Sequence, residues 1–258
     1  MSQASALEQL VRQDRLVLVA GLSCVVILAW VYILSGAGMD MSMPGMVMAP
    51  MSWSPTTAML MFAMWWIMMI AMMVPSAAPA VLLFLLIRRK QATLDNPPVD
   101  TGVFVAGYLV VWAGFSLIAT TLQWALQSLG LMSMDMNTNS LVLGGLLLIA
   151  AGLYQFTFVK RACLQHCQNP LLFFSSHWRS GAGGAFLMGL QHGAYCLGCC
   201  WFLMALLFFG GVMNILWIAG IAIYVGMEKL LPRYNWLSTG MGIVLSVAGM
   251  VVISRAVA

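Results

Sequence analysis

The chain has 258 residues, 62% of them hydrophobic and only 7% charged, with a net charge of +4. So little charge cannot cover a water-soluble surface, which excludes an ordinary soluble enzyme or binding module. The basic residues form no single face, so the lipid bilayer, and not nucleic acid, is the expected partner.

Runs near 20 apolar residues, the length that crosses about 30 Å of hydrocarbon, predict an all-α polytopic bundle of about seven transmembrane spans. They form one integral membrane domain over 1–258 and fall at 16–35, 57–87, 102–129, 139–159, 183–210, 212–230 and 236–254. The first apolar run is too long for a signal-peptide core and no A-x-A site follows, so it reads as a retained anchor. Cys24 stands alone in it and reads as a small hydrophobe.

A methionine-rich outer loop follows over 39–56, with the run MDMSMPGMVMAPM. Met39, Met41, Met43 and Met46 alternate around Pro44 and Gly45, so their thioethers are free to converge on one ion. Thioether favours copper(I) and survives oxidation that consumes thiols. A second outer cluster, MSMDM, contributes Met132, Met134 and Met136.

In the second span, Met61, Met68 and Met72 fall within a narrow arc beside Trp65, and Pro75 and Pro79 predict a kink. Such a stripe serves packing as readily as metal passage. The fourth span leads into a Cys/His-containing cytoplasmic loop over 160–181. Cys163 and Cys167 stand one helical turn apart with His166 between them, and Asn169-Pro170 stops the helix. Two thiols at C-x₃-C spacing do not make a closed structural zinc site. LLFFSSHW reads as an interfacial stretch, with His177 as polar surface.

The fifth span carries the sharpest pattern. Met188, His192, Cys196 and Cys199 share one face at steps of four, four and three, with Cys200 at its edge. Thiol and imidazole are ligands for copper(I), zinc or iron–sulfur centres. Gly189, Gly193 and Gly198 leave room for a neighbouring helix. Gln191 and Tyr195 read as partners fixing the His192 imidazole. At the end of the sixth span, Glu228 and Lys229 read as a pair or as snorkelling side chains.

With the amino terminus inside, Arg12, Arg15, Arg88, Arg89, Lys90, Lys160, Arg161, Arg179, Lys229 and Arg233 all fall on the cytoplasmic side, and only Arg255 outside. This is the positive-inside pattern, and it places the carboxyl terminus and both methionine clusters outside. There is no nucleotide-binding P-loop, no Ser/His/Asp set and no C-x-x-C-H haem motif.

WWIMMIAMMVPSAAPA at 65–80, LYQFTFVKRACLQHC at 153–167 and HGAYCLGCCWFLM at 192–204 together resemble a bacterial family of predicted metal-binding integral membrane proteins. The resemblance implies that Met68, Met72, Met73, Pro75, Cys163, Cys167, His192, Cys196, Cys199 and Cys200 act together. FTFVK departs from the T-P-L-K of that family.

The expectation is a multi-pass protein of the bacterial inner membrane that binds copper(I) and transports or delivers it. Outer methionines would capture the ion, the second and fifth spans would hold it, and Cys163, His166 and Cys167 would receive it inside. Two alternatives stand beside this. One is a membrane-embedded copper redox enzyme, against which no acid/base pair flanks the thiols. The other is a non-catalytic anchor subunit for a periplasmic metalloprotein, and in each reading the expected protein partner is a periplasmic or membrane metalloprotein.

Overall fold

The computed structural model describes residues 2–36, 53–91, 97–131, 140–231 and 235–257. Met39, Met41, Met43, Met46, Met132, Met134 and Met136 lie outside the described residues. Among the described residues all regular structure is helical: α1 Ser2–Leu34, α2 Pro55–Gln91, α3 Pro97–Ser128, α4 Leu141–Tyr154, α5 Phe158–Gln168, α6 Pro170–His177, α7 Gly181–Ala205, α8 Leu207–Gly210, α9 Ile215–Leu230 and α10 Asn235–Val257.

Five stretches among these residues are long and apolar enough to cross a bilayer: Gln13–Leu34, Pro55–Lys90, Pro98–Ser128, Gly181–Gly210 and Trp236–Ala256. The α4–α5 pair makes a sixth if it is one span broken by a 64° bend. The stretches expected at 139–159 and 212–230 are thus shorter than the sequence suggests. α4 has 14 residues and α9 has 16, or roughly 21 and 24 Å at 1.5 Å per residue.

Local chemistry sets these ends. Ser140 caps α4 by accepting from the Leu143 amide, and Thr157 opens α5 by accepting from Lys160. Thr157 cannot extend the helix before it while capping the one after it, so the chain turns here. Pro170 opens α6 directly after Asn169, and Asn214 caps α9. The segment 160–181 between α4 and α7 carries most of α5 and all of α6. By contrast, α2 runs through Pro75 and Pro79 as one continuous helix.

Glycines decide the closest packing. A Cβ on Gly107 of α3 would stand 2.3 Å from the Phe186 carbonyl oxygen of α7, and one on Gly189 would stand 2.0 Å from that of Phe104. The α3 and α7 backbones therefore touch, at positions where only glycine fits. Gly145 and Gly249 do the same between α4 and α10.

The core runs along α2, where Met64, Trp65, Met68, Met69, Met72 and Met73 are all buried. A second cluster joins Phe84 of α2, Phe104 of α3, Phe173 and Phe174 of α6, and Met188 of α7. The aromatics of LLFFSSHW thus face protein, while Leu171 and Leu172 are exposed. Val17, Ile27, Leu28 and Val31 of α1 and Ile243 and Val244 of α10 are also exposed. An apolar exterior on this scale suits hydrocarbon and not water. Ion pairs Arg88–Asp100 and Arg89–Asp14 tie α1, α2 and α3 together at one end of the bundle.

Candidate metal centre

Met73 is the middle residue of α2, and its sulfur faces the thiols of α7. Its Sδ lies 3.9 Å from Cys200 Sγ and 3.9 Å from Lys229 Nζ. Lys229 comes from the last turn of α9 and donates to Cys196 Sγ at 2.9 Å and to Ser76 Oγ at 3.3 Å. Tyr108 of α3 completes the wall, with its hydroxyl 3.1 Å from Cys196 Sγ and donating to the Met73 carbonyl at 3.2 Å. Cys167 of α5 faces both Cys196 and Cys199. Four thiols and a thioether from three helices thus meet around one ammonium group.

Side chains from the last turns of two short helices reach this region. The Tyr154 hydroxyl at the end of α4 donates to the Gly198 carbonyl at 2.5 Å, and Lys229 at the end of α9 reaches Cys196. Beside Lys229, Glu228 receives Lys160 at 2.7 Å and accepts from Tyr224 at 3.0 Å and Ser238 at 2.5 Å.

The thiols are not preset as a cage. Cys199 and Cys200 each donate to the Cys196 carbonyl at 3.0 Å. Among the described residues no three His, Cys, Asp or Glu side chains are placed to enclose an ion. Methionine lies outside that set, and a soft monovalent ion needs only two or three donors. Thiol-to-carbonyl bonds are weak, so rotation about χ1 releases the sulfurs.

The structure separates the residues singled out in the sequence. Cys167, Cys196, Cys199 and Cys200 come together. Cys163 lies against Gly198, where a Cβ would stand 2.7 Å from its sulfur. His192 is buried one turn from Cys196, among the rings of Phe104, Tyr108 and Phe173 at 5.3–6.0 Å, and its Nδ1 has no hydrogen-bond partner. Gln191 and Tyr195 do not hold it, contrary to expectation. Gln191 Oε1 is itself unpartnered, and Tyr195 stacks on His166.

Met61, Met68 and Met72 are buried, but Met73 is the methionine whose sulfur reaches Cys200 and Lys229. Met61 accepts from Gln123 at 3.6 Å, and the same amide receives Trp65 at 2.7 Å. Met61 stands 12 residues before Met73, roughly 18 Å along the helix. Lys229, expected to pair or snorkel, points inward and is 4% exposed. Lys229, Tyr108 and Ser76 were not among the expected site residues. The one signal for Lys229 was an ionisable group closing an apolar helix.

Residues 62–252 match the family model PpoB2, described as a copper chaperone. The chain belongs to this copper chaperone family. The match spans the bundle from α2 to α10 and includes every residue of the sulfur pocket. No curated protein and no solved structure matches the chain. Copper is accordingly the metal associated with it, and the donors fit that metal. Thiolate and thioether are soft ligands that select copper(I).

Proposed function

We propose that this protein lies in the bacterial inner membrane, binds copper(I) in the sulfur pocket and passes it across the membrane to a metalloprotein partner. The observation that carries the proposal is the meeting of Met73, Cys167, Cys196, Cys199 and Cys200 from three helices. Such a set can exchange an ion between two- and three-coordinate arrangements without trapping it.

Counting α4–α5 as one broken crossing and α9 as a short one gives seven crossings, with the amino terminus inside and the carboxyl terminus outside. In that orientation Met39, Met41, Met43, Met46, Met132, Met134 and Met136 stand on the outer side and capture the ion. Met61, Met68 and Met72 line its approach along α2. His192 lies beside the pocket as an imidazole donor, and Cys163, His166 and Cys167 lead away from it.

The test is copper(I) accumulation in proteoliposomes across a concentration series. Changing Met39, Met41, Met43 and Met46 together to leucine removes the thioethers at nearly constant volume and apolarity. Uptake should fall at limiting copper and recover at high copper. Unchanged uptake at limiting copper would refute outer capture.

A further inference from the structure

His166 adjoins Cys167 in the α5 sequence and stands near a second imidazole. His166 of α5 and His177 of α6 are both partly exposed, and their ring centroids lie 6.1 Å apart. The two are held in the same way. His166 Nδ1 lies 2.9 Å from the Ala162 carbonyl and His177 Nδ1 lies 3.2 Å from the Phe173 carbonyl, each four residues earlier on its own helix.

A carbonyl only accepts, so these contacts are hydrogen bonds in the tautomer with the proton on Nδ1, which leaves the lone pair on Nε2. Ser176 Oγ lies 2.8 Å from His177 Nδ1 and is also 2.9 Å from the Leu172 carbonyl and 3.2 Å from that of Phe173, so it accepts from Nδ1 when its own proton goes to either carbonyl. Aromatic partners set the ring planes. His166 lies flat on Tyr195 at 4.1 Å with 3° between planes, and His177 stacks on Phe173 at 5.1 Å with 15°. Metal-ligating histidines are oriented in this manner, with the distal nitrogen bonded to a carbonyl and the ring plane fixed. One ion held in the near-linear, two-coordinate geometry by ring nitrogens at about 2 Å sets the ring centroids about 6 Å apart.

We propose that His166 and His177 form a second copper(I) site, built of two imidazoles, which takes the ion from Cys167. It rests on the copper reading above but uses nitrogen donors where that reading uses sulfur. The ion keeps its oxidation state: a copper–sulfur bond to Cys167 breaks as a copper–nitrogen bond to one Nε2 forms. Imidazole is a harder ligand than thiolate, so the second site binds the ion less tightly and releases it more readily.

The experiment is copper K-edge X-ray absorption on the full-length protein, loaded without oxygen with copper(I) alone, one equivalent and then two. Sulfur neighbours should dominate the first equivalent, and imidazole scattering should enter with the second. His177→Phe keeps an aromatic ring and removes the nitrogens. It should lose the second equivalent and its imidazole scattering while keeping the sulfur-bound first, which also reports a folded variant. His166→Phe should do the same. Unchanged stoichiometry and imidazole scattering in both variants would overturn the proposal, as would a wild type with no nitrogen shell at two equivalents. Imidazole scattering lost in His177→Phe, with no sulfur around the first equivalent, would uphold the imidazole pair and overturn the sulfur pocket.

Discussion

The Lys229 ammonium donates to the Cys196 sulfur at 2.9 Å across 33 residues of sequence, with both side chains buried. A buried cation is tolerated only beside compensating charge or strong acceptors. Two thiolates on one copper(I) ion sum to a single negative charge, and Lys229 cancels it at the point where it arises. Lys229→Met should therefore weaken copper(I) binding by at least about tenfold, since removing one partner of a buried charge pair strands the other. Lys229→Arg should retain more of the affinity. Competition against a coloured copper(I) chelator measures both, and equal affinity in wild type and Lys229→Met would remove Lys229 from the site.

The Lys160–Glu228 pair is buried and joins α5 to α9. Glu228→Leu alone should lower stability by about 3–5 kcal/mol, because Lys160 is left charged and unpaired. Adding Lys160→Met should recover part of that loss, since an apolar pair replaces an ionic one. Thermal unfolding followed by circular dichroism in detergent separates the cases. A double variant no more stable than the single one would show that the other bonds of Glu228, to Tyr224 and Ser238, dominate instead.

Helix contact makes a sharper steric prediction. Gly189→Ala places a methyl against the Phe104 carbonyl and must push α3 from α7, with a loss of about 1–3 kcal/mol or more. Gly114→Ala, on α3 with nothing within 4 Å, should be neutral or slightly stabilising. The melting temperature of Gly189→Ala should fall while that of Gly114→Ala holds or rises slightly, and equal shifts would contradict the close crossing.

The structure also explains which features the sequence made visible. Steps of four, four and three put Met188, His192, Cys196 and Cys199 on one face, and all four are buried. Gly189 and Gly193 marked a close helix contact, which α3 makes. The approach of Cys167 to Cys196 was not legible, because it depends on the 64° turn between α4 and α5, and apolar periodicity carries no direction. Met72 and Met73 lie 100° apart on one helix, so their order of importance follows from where α7 and α9 stand. The short reach of α9 was hidden because apolar residues continue past its start, through Gly211, Val212 and Met213. Lys229 is hard to read for a related reason: an ionisable group near a helix end looks like a snorkelling one until the neighbouring helices are placed.

Orientation has its own test. A cysteine introduced at Ser42, in a chain whose native cysteines resist labelling, should react with a membrane-impermeant reagent added from the periplasmic side. Labelling from the cytoplasmic side alone would reverse the proposed orientation and move the methionine clusters to the inner face.

The central claim is that copper(I) is held by the sulfurs of the pocket, and the most direct measurement is copper(I) retained by purified, reduced protein in three forms. Cys196→Ser with Cys199→Ser removes two thiols that face Cys167, and hydroxyl is a hard donor that replaces thiolate poorly. Cys24 is exposed on α1 and serves as the control. Wild type and Cys24→Ser should retain copper equally, and the double variant should lose most of it while keeping its helix content. Equal retention in all three would contradict the claim and reduce the cluster to helix packing.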